Sequence, residues 1–357
     1  MISFSDKQRN LSLFMKLSWR MFHVNNTSGY YHRYVNNKSR EIIQKSYLLN
    51  DGSIPERIYK KITWYMAEAL VLGEILAHLA GESVDSGNKE SLIYLGAIMA
   101  LYDVMIDDFN LEPEIIRNIL EDTFSSSGRT LTGSEPAIVF VYFLYLERLK
   151  TVIDPEQWLD ISRYMSKIKH QLKSVEQKRD DVEEAKIIEI TIGKGGVAAL
   201  IFSAILRNKN SQFKDAVFEM GGFIQMMNDC QDIYRDTVSG IRTFVHFRKD
   251  FEDIIQVLNE ERIKTFRLIR SLNLHARDRY DTLFDLNAMF IVIAYKIHCY
   301  AEICNYSLDF SAISKMNKKT FRINPFSPVA IYSCTGKILR FDPDDYEYLP
   351  EFRFVAG

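Results

Sequence analysis

Asn228-Asp229-Cys230-Gln231-Asp232-Ile233-Tyr234-Arg235-Asp236 places Asn228, Asp232 and Asp236 four residues apart. A helix stacks side chains at that spacing on one face over two turns. The same relation links Asp103 and Asp107 in Tyr102-Asp103-Val104-Met105-Ile106-Asp107-Asp108. Each stretch continues an apolar helical run, residues 92–101 and 220–227. Buried, unpaired carboxylates are expensive, and two such clusters facing one another repel unless cations lie between them. Donors that are all oxygen, from Asp103, Asp107, Asn228, Asp232 and Asp236, suit a hard ion such as Mg²⁺. Such an ion keeps several waters and is completed by substrate phosphates. The expectation is a divalent-metal site at the mouth of a helical bundle.

Around these stretches the pattern is helical. Amphipathic or apolar runs predict helices over 55–80, 88–109, 113–123, 136–150, 155–178, 211–239, 247–272 and 276–308. Residues 187–206 add another, interrupted by Gly193-Lys194-Gly195-Gly196. Each glycine there costs about 1 kcal/mol relative to alanine in a helix, so the run signals a break or a close backbone approach. Residues 125–134, rich in Ser, Gly and Thr, read as a surface loop, and Gly240 as a helix stop. About ten helices with almost no strand before residue 319 make an all-α bundle. We divide it into an N-terminal helical segment (1–54), a main helical domain (55–315) and a C-terminal extension (316–357). In the extension, prolines punctuate runs such as residues 329–334, whose β propensity suggests a small hairpin. The N-terminal segment places Leu11, Phe14, Met15, Met21 and Phe22 near helical spacing, with Ser18 interrupting the stripe.

Composition narrows the function classes. The 357 residues are 47% apolar and 26% charged, ordinary for a soluble globular protein. A net charge of −2 gives no general reason to expect nucleic acid or an anionic membrane as partner. Cys230, Cys299, Cys304 and Cys334 lack a CxxC pairing and read as reduced thiols. The first ten residues carry no secretory h-region, and apolar runs such as 93–102 and 197–206 are too short to span a bilayer. A soluble, cytoplasmic protein is expected. His23, His32, His78, His275 and His298 have no ligand-spaced neighbours and read as packing or surface residues.

The acidic stretches also carry a resemblance. Asn228-Asp229-x-x-Asp232-x-x-Arg235-Asp236 resembles the second metal motif of class I terpene synthases, with Arg235 at their diphosphate-contacting basic position. Asp103-x-x-x-Asp107 resembles the aspartate-rich first motif of the same superfamily. There the second acid is Val104 in this chain, and Asp108 is added, as in squalene and phytoene synthases. Gly222-Phe223-Ile224-Gln225 and Ile188-Glu189-Ile190-Thr191-Ile192-Gly193-Lys194-Gly195 look like segments of prenyl diphosphate synthases. In those enzymes the second segment is a kinked helix bearing a diphosphate-binding lysine. The likeness covers roughly residues 55–310. Neither the basic stretch that holds isopentenyl diphosphate in chain-elongating enzymes nor the Ser-Arg-Ser/Thr-Phe signature of phytoene and squalene synthases is visible. Asp232 and Asp236 also replace the Ser and Glu usual in cyclases.

The resemblance implies the class I isoprenoid-synthase helical bundle and an allylic prenyl diphosphate as substrate. It implies several Mg²⁺ ions held by Asp103, Asp107, Asn228, Asp232 and Asp236 together with the diphosphate. Arg235, Lys194, Arg242 and Arg179 would then contact diphosphate, and Leu95, Met99, Ile224, Phe223 and Phe202 would line the hydrocarbon pocket, with Gly96, Gly221 and Phe290 as further lining. Without an acceptor site, the expected reaction is that of a terpene synthase, a carbon–oxygen lyase that cyclises its substrate or eliminates from it. The alternatives are prenyl transfer between isoprenoid units and a non-catalytic helical binding protein. A homodimer is compatible with the likeness; no nucleic acid or transmembrane segment is implied.

Overall fold

The computed structural model describes residues 4–124, 135–167, 176–179, 181–325 and 327–347. Among these residues all regular structure is helical, which makes the protein all-α. Contacts divide the chain into two compact units. A central unit holds Ser18–Lys169 with Ile201–Asn208, and a terminal unit holds Met1–Leu17, His170–Leu200 and Lys209–Gly357. The divisions placed at 54/55 and 315/316 from sequence thus fall inside these units.

In the central unit, α1 (Phe4–Asn25, shared with the terminal unit) leads to α2 (Tyr30–Lys38) and α3 (Arg40–Leu48). Then come α4 (Glu56–Ala80) and α5 (Ser86–Asp107), a helical hairpin. Gly81, at φ 71°, supplies the left-handed residue that stops α4, donating to the carbonyls of Ala77 and His78. The Asp85 side chain caps α5 by accepting from the Asn88 amide. From Ser91 to Met105 nearly every residue of α5 is buried, so it is the central helix of the unit, packed on α4 and on α7 (Ala137–Val152). The remaining helices are α6 (Pro113–Phe124) and α8 (Pro155–Met165), the latter opened by an Asp154/Gln157 capping box.

The terminal unit contains α9 (Glu184–Ser203, whose last three residues belong to the central unit), α10 (Ser211–Gln231), α11 (Ile233–Val238), α12 (Phe251–Ser271), α13 (Ala276–Ile303), α14 (Phe310–Lys315) and α15 (Pro328–Ile338). α10 packs on α12 and α13, and α13 on α15. α4 and α13 are long and apolar enough to cross a membrane, but 56% and 72% of their most apolar windows are buried inside the protein.

Three expectations are corrected. Residues 329–334 form the first turns of α15, not a strand. Ser327 caps this helix by accepting from the Ala330 amide, Pro328 occupies its first turn, and Ala330, Cys334 and Ile338 bury one face at four-residue spacing. Capping and periodicity overrode β propensity. Second, α9 runs unbroken through Gly193-Lys194-Gly195-Gly196. Third, the helix expected over 211–239 divides at Asp232, which has φ −97° and ψ 11°. The helix read from the spacing of Leu11, Phe14, Met15, Met21 and Phe22 is α1, which turns Leu11, Met15 and Phe22 outward and buries Leu13, Leu17 and Val24. The loop over 125–134, part of the helix over 155–178 (residues 168–175) and the last ten residues of the C-terminal extension lie outside the described residues.

Candidate active site

The first acidic stretch ends α5, and α4 supplies its surroundings. Gly96 lets these helices approach closely: a Cβ there would stand 2.8 Å from the Ala69 Cβ and from the Tyr65 carbonyl oxygen. Because the hairpin is antiparallel, the start of α4 lies beside the end of α5. The Tyr65 hydroxyl donates to Asp103 Oδ2 at 2.9 Å. Arg57 Nη1 and Lys61 Nζ donate to the two oxygens of Asp108 at 2.5 and 3.2 Å. Burial works to raise the Asp108 pKa, but these hydrogen bonds outweigh it and hold the carboxyl below the usual carboxylate range. Asp107, the last helical residue, is exposed.

One turn beyond Tyr65, half-buried Glu68 is pushed up to about 8 by burial. It has no hydrogen-bonding or ionic partner among the described residues. Sequence reading passed over Arg57, Lys61, Tyr65 and Glu68. Their spacing of four, four and three along α4 was the available signal.

The second stretch belongs to the terminal unit and depends on two more glycines. A Cβ on Gly195 of α9 would collide with the Gly221 carbonyl oxygen of α10, and one on Gly221 with the Gly195 carbonyl oxygen. The glycine run is therefore a place of close backbone approach. That approach lets Thr191 Oγ1 donate to Asp229 Oδ2 at 3.1 Å, while Gln225 Nε2 donates to Oδ1 at 3.0 Å.

The four-residue ladder survives the division at Asp232. The Asp232 amide donates to the Asn228 carbonyl at 3.0 Å, and that of Asp236 to the Asp232 carbonyl at 2.8 Å. Exposure falls along the series, with Asn228 exposed, Asp232 half-buried and Asp236 buried. Arg235 closes over it, with Nη2 2.6 Å from Asp232 Oδ2 and Nε 3.3 Å from Asp236 Oδ1.

Burial raises the pKa of all three acids here, Asp229 to about 6 and Asp236 to about 7, with Asp232 shifted in the same direction. Mutual repulsion adds to the rise at Asp229 and Asp236, and Arg235 opposes it at Asp232 and Asp236. Lys194 pulls Asp229 and Asp232 back toward ionisation. So does Lys296 of α13 at Asp232, while its Nζ donates to Gln231 Oε1 at 2.6 Å. Thr191 and Asp229 stand in the motifs quoted from sequence, though without a role of their own; Lys296 was missed, since it lies 60 residues after Asp236 and nothing local marks it.

The other named residues divide. Arg179 is exposed and grips Asp181 through two bonds of 2.9 and 2.7 Å. Arg242 exchanges hydrogen bonds with Gln177 through its backbone, and its guanidinium stands 4.7 Å from the Phe247 ring centre. Leu95 and Phe223 are wholly core. Phe290, fully buried, lies under the Arg262 guanidinium at 4.6 Å, so its ring face already serves a cation. Phe202 is buried in the central unit. Met99, one turn before Asp103, is buried, and Ile224, one turn before Asn228, is half-buried.

Among the described residues no three His, Cys, Asp or Glu side chains converge as a ready-made metal-ligand set. The donors that are present fit a hard cation completed by ligand oxygens. They are amide and carboxylate oxygens at four-residue spacing, and burial raises the pKa of Asp232 and Asp236, so a positive neighbour would favour their ionised forms.

No protein-family model matches this chain, and no curated protein matches it. Its structure is similar to the crystal structure of a geranyltransferase from Legionella pneumophila, with a TM-score of 0.41 and 16% identity, over 76% of this chain and 99% of that one. It is also similar to a geranylgeranyl pyrophosphate synthetase from the archaeon Geoglobus acetivorans, with a TM-score of 0.32 and 14% identity, over 81% of this chain and 99% of that one.

Proposed function

We propose that this chain is a Mg²⁺-dependent enzyme of the isoprenoid-synthase type that ionises an allylic prenyl diphosphate and transfers the prenyl group to a second isoprenoid diphosphate. The observation that carries this reading is the cluster on α9, α10, α11 and α13. There, three acids shifted upward by burial share their surroundings with Lys194, Arg235 and Lys296. Alternating acid and base of this kind suits a cation and a polyanion bound together.

Asn228, Asp232 and Asp236 would hold Mg²⁺ on the terminal unit, and Asp103 with Asp107 offer the same oxygen donors on the central unit. When bound, that ion neutralises diphosphate oxygens and makes them a better leaving group. Arg235 would exchange its bonds to Asp232 and Asp236 for diphosphate oxygens, to which a guanidinium is matched in shape and charge. Lys194 adds a further positive charge. Tyr65 orients Asp103 through its hydroxyl. Ile224, one turn before Asn228, would keep water from the allylic cation.

Arg57 and Lys61 favour transfer over cyclisation. They are a basic pair at the start of α4 beside the first motif, and a second diphosphate needs such a pair. The second reading is the lyase, cyclising or eliminating from one substrate, for which the lack of any acceptor stretch in the sequence argues.

Incubation with geranyl, farnesyl, geranylgeranyl or geranylfarnesyl diphosphate and Mg²⁺, with and without isopentenyl diphosphate, separates the readings. Transfer yields a longer diphosphate only when both substrates are present. A hydrocarbon or alcohol from one substrate alone establishes the lyase. Absence of Mg²⁺-dependent diphosphate release with every substrate leaves the non-catalytic binding protein.

A further inference from the structure

The −2 net charge of the whole chain hides an uneven distribution. Residues 1–54 carry eight Lys and Arg against three Asp and Glu. Of the eight, Arg9 is paired with Asp281, Arg20 with Glu74 and Lys45 with Glu41, while Lys7, Lys16, Arg33, Lys38 and Arg40 are exposed. The same segment displays large apolar side chains. On α1, Leu11 is 48% exposed, Met15 64%, Trp19 47% and Phe22 56%. At about 100° per residue these four fall within an arc of about 80°, one narrow stripe, with Lys7 and Lys16 at its flanks. Trp19 extends the stripe to Tyr30 of α2, their ring centres 5.6 Å apart, and Tyr30 is itself 37% exposed. Surface hydrophobes scattered singly need no explanation, but a flanked stripe of this kind does.

We infer that this face of α1, with Tyr30, docks onto an anionic lipid surface. An amphipathic helix lying in the interface plane buries such a stripe among the acyl chains near the headgroups, and its lysines reach the phosphates. Trp and Tyr favour that depth, and each nearby Lys or Arg adds attraction to anionic lipid. Charge decides against a second copy of the chain as occupant. A two-fold symmetric contact sets a patch on its own image, bringing these cations against themselves.

The test is sedimentation of the full chain with vesicles of equal parts phosphatidylserine and phosphatidylcholine, and with vesicles of phosphatidylcholine alone. The mixed vesicles are expected to carry the protein down, the neutral ones much less, and about 0.5 M salt to release a large share of it. Leu11→Ser/Met15→Ser/Phe22→Ser is expected to lower partition about tenfold or more, with unchanged far-ultraviolet circular dichroism. Lys7→Glu/Lys16→Glu, which touches no packed residue, is expected to lower binding to the mixed vesicles about tenfold. The inference is overturned if the wild-type chain stays in the supernatant, or if neither variant changes partition. It is equally overturned if light scattering shows a dimer that the serine variant dissociates while vesicles bind nothing. None of these readouts depends on turnover.

Discussion

Gly195 and Gly221 meet backbone to backbone, so that neither has room for a Cβ. Gly193, two residues earlier on the same helix, has nothing within 4 Å of where its Cβ would be. Alanine at Gly195 or Gly221 forces α9 and α10 apart and should cost about 1–3 kcal/mol. Alanine at Gly193 should instead stabilise by about 0.5–1 kcal/mol, through helix propensity alone. Urea denaturation of the three single variants checks the opposite signs.

Asp103→Ala and Asn228→Ala should each lower Mg²⁺-dependent diphosphate release by about a hundredfold or more, since a leaving-group cation loses a ligand. Neither residue is core, so helical circular dichroism should stay at the wild-type level. A normal rate in either variant would remove that residue from the site.

Arg57→Ala and Lys61→Ala distinguish transfer from cyclisation kinetically. If the pair serves a second diphosphate, each variant should raise KM for isopentenyl diphosphate about tenfold while leaving KM for the allylic substrate near its wild-type value. Because both residues partner Asp108, Asp108→Asn measured alongside reports the effect of the lost ion pairs alone.

Glu68 gives a pH prediction whose sign is opposite to that of a salt-bridged acid. Burial raises its pKa from 4.5 to about 8, so the folded state holds a proton that the unfolded state releases. Wild-type stability should therefore fall as pH rises through that window, and Glu68→Gln should remove the fall. Near pH 9 the variant should be more stable than wild type by about 1–3 kcal/mol, and near pH 4 the two should be close. Urea midpoints at the two pH values decide it.

How much of this was legible shows best at particular residues. The spacing of Asn228, Asp232 and Asp236 foretold a ladder, and the ladder is there despite the division at Asp232. The glycine run was read as a break or a close approach; only the partner glycine on α10, 26 residues away from Gly195, decides between them. Residues 329–334 misled because β-branched residues outweighed the Ser327-Pro328 helix start that precedes them.

Sequence by itself determined that the chain is helical, where most of its helices start or stop and which acids share a face, because caps, glycine stops and four-residue periodicity act over a few neighbouring residues. Tertiary structure alone decided which of those acids are buried, that Lys296 joins Asp232 and that Arg57 and Lys61 hold Asp108. Desolvation and ion pairing depend on what packing brings within a few ångströms, and the packed partners lie tens of residues away along the chain.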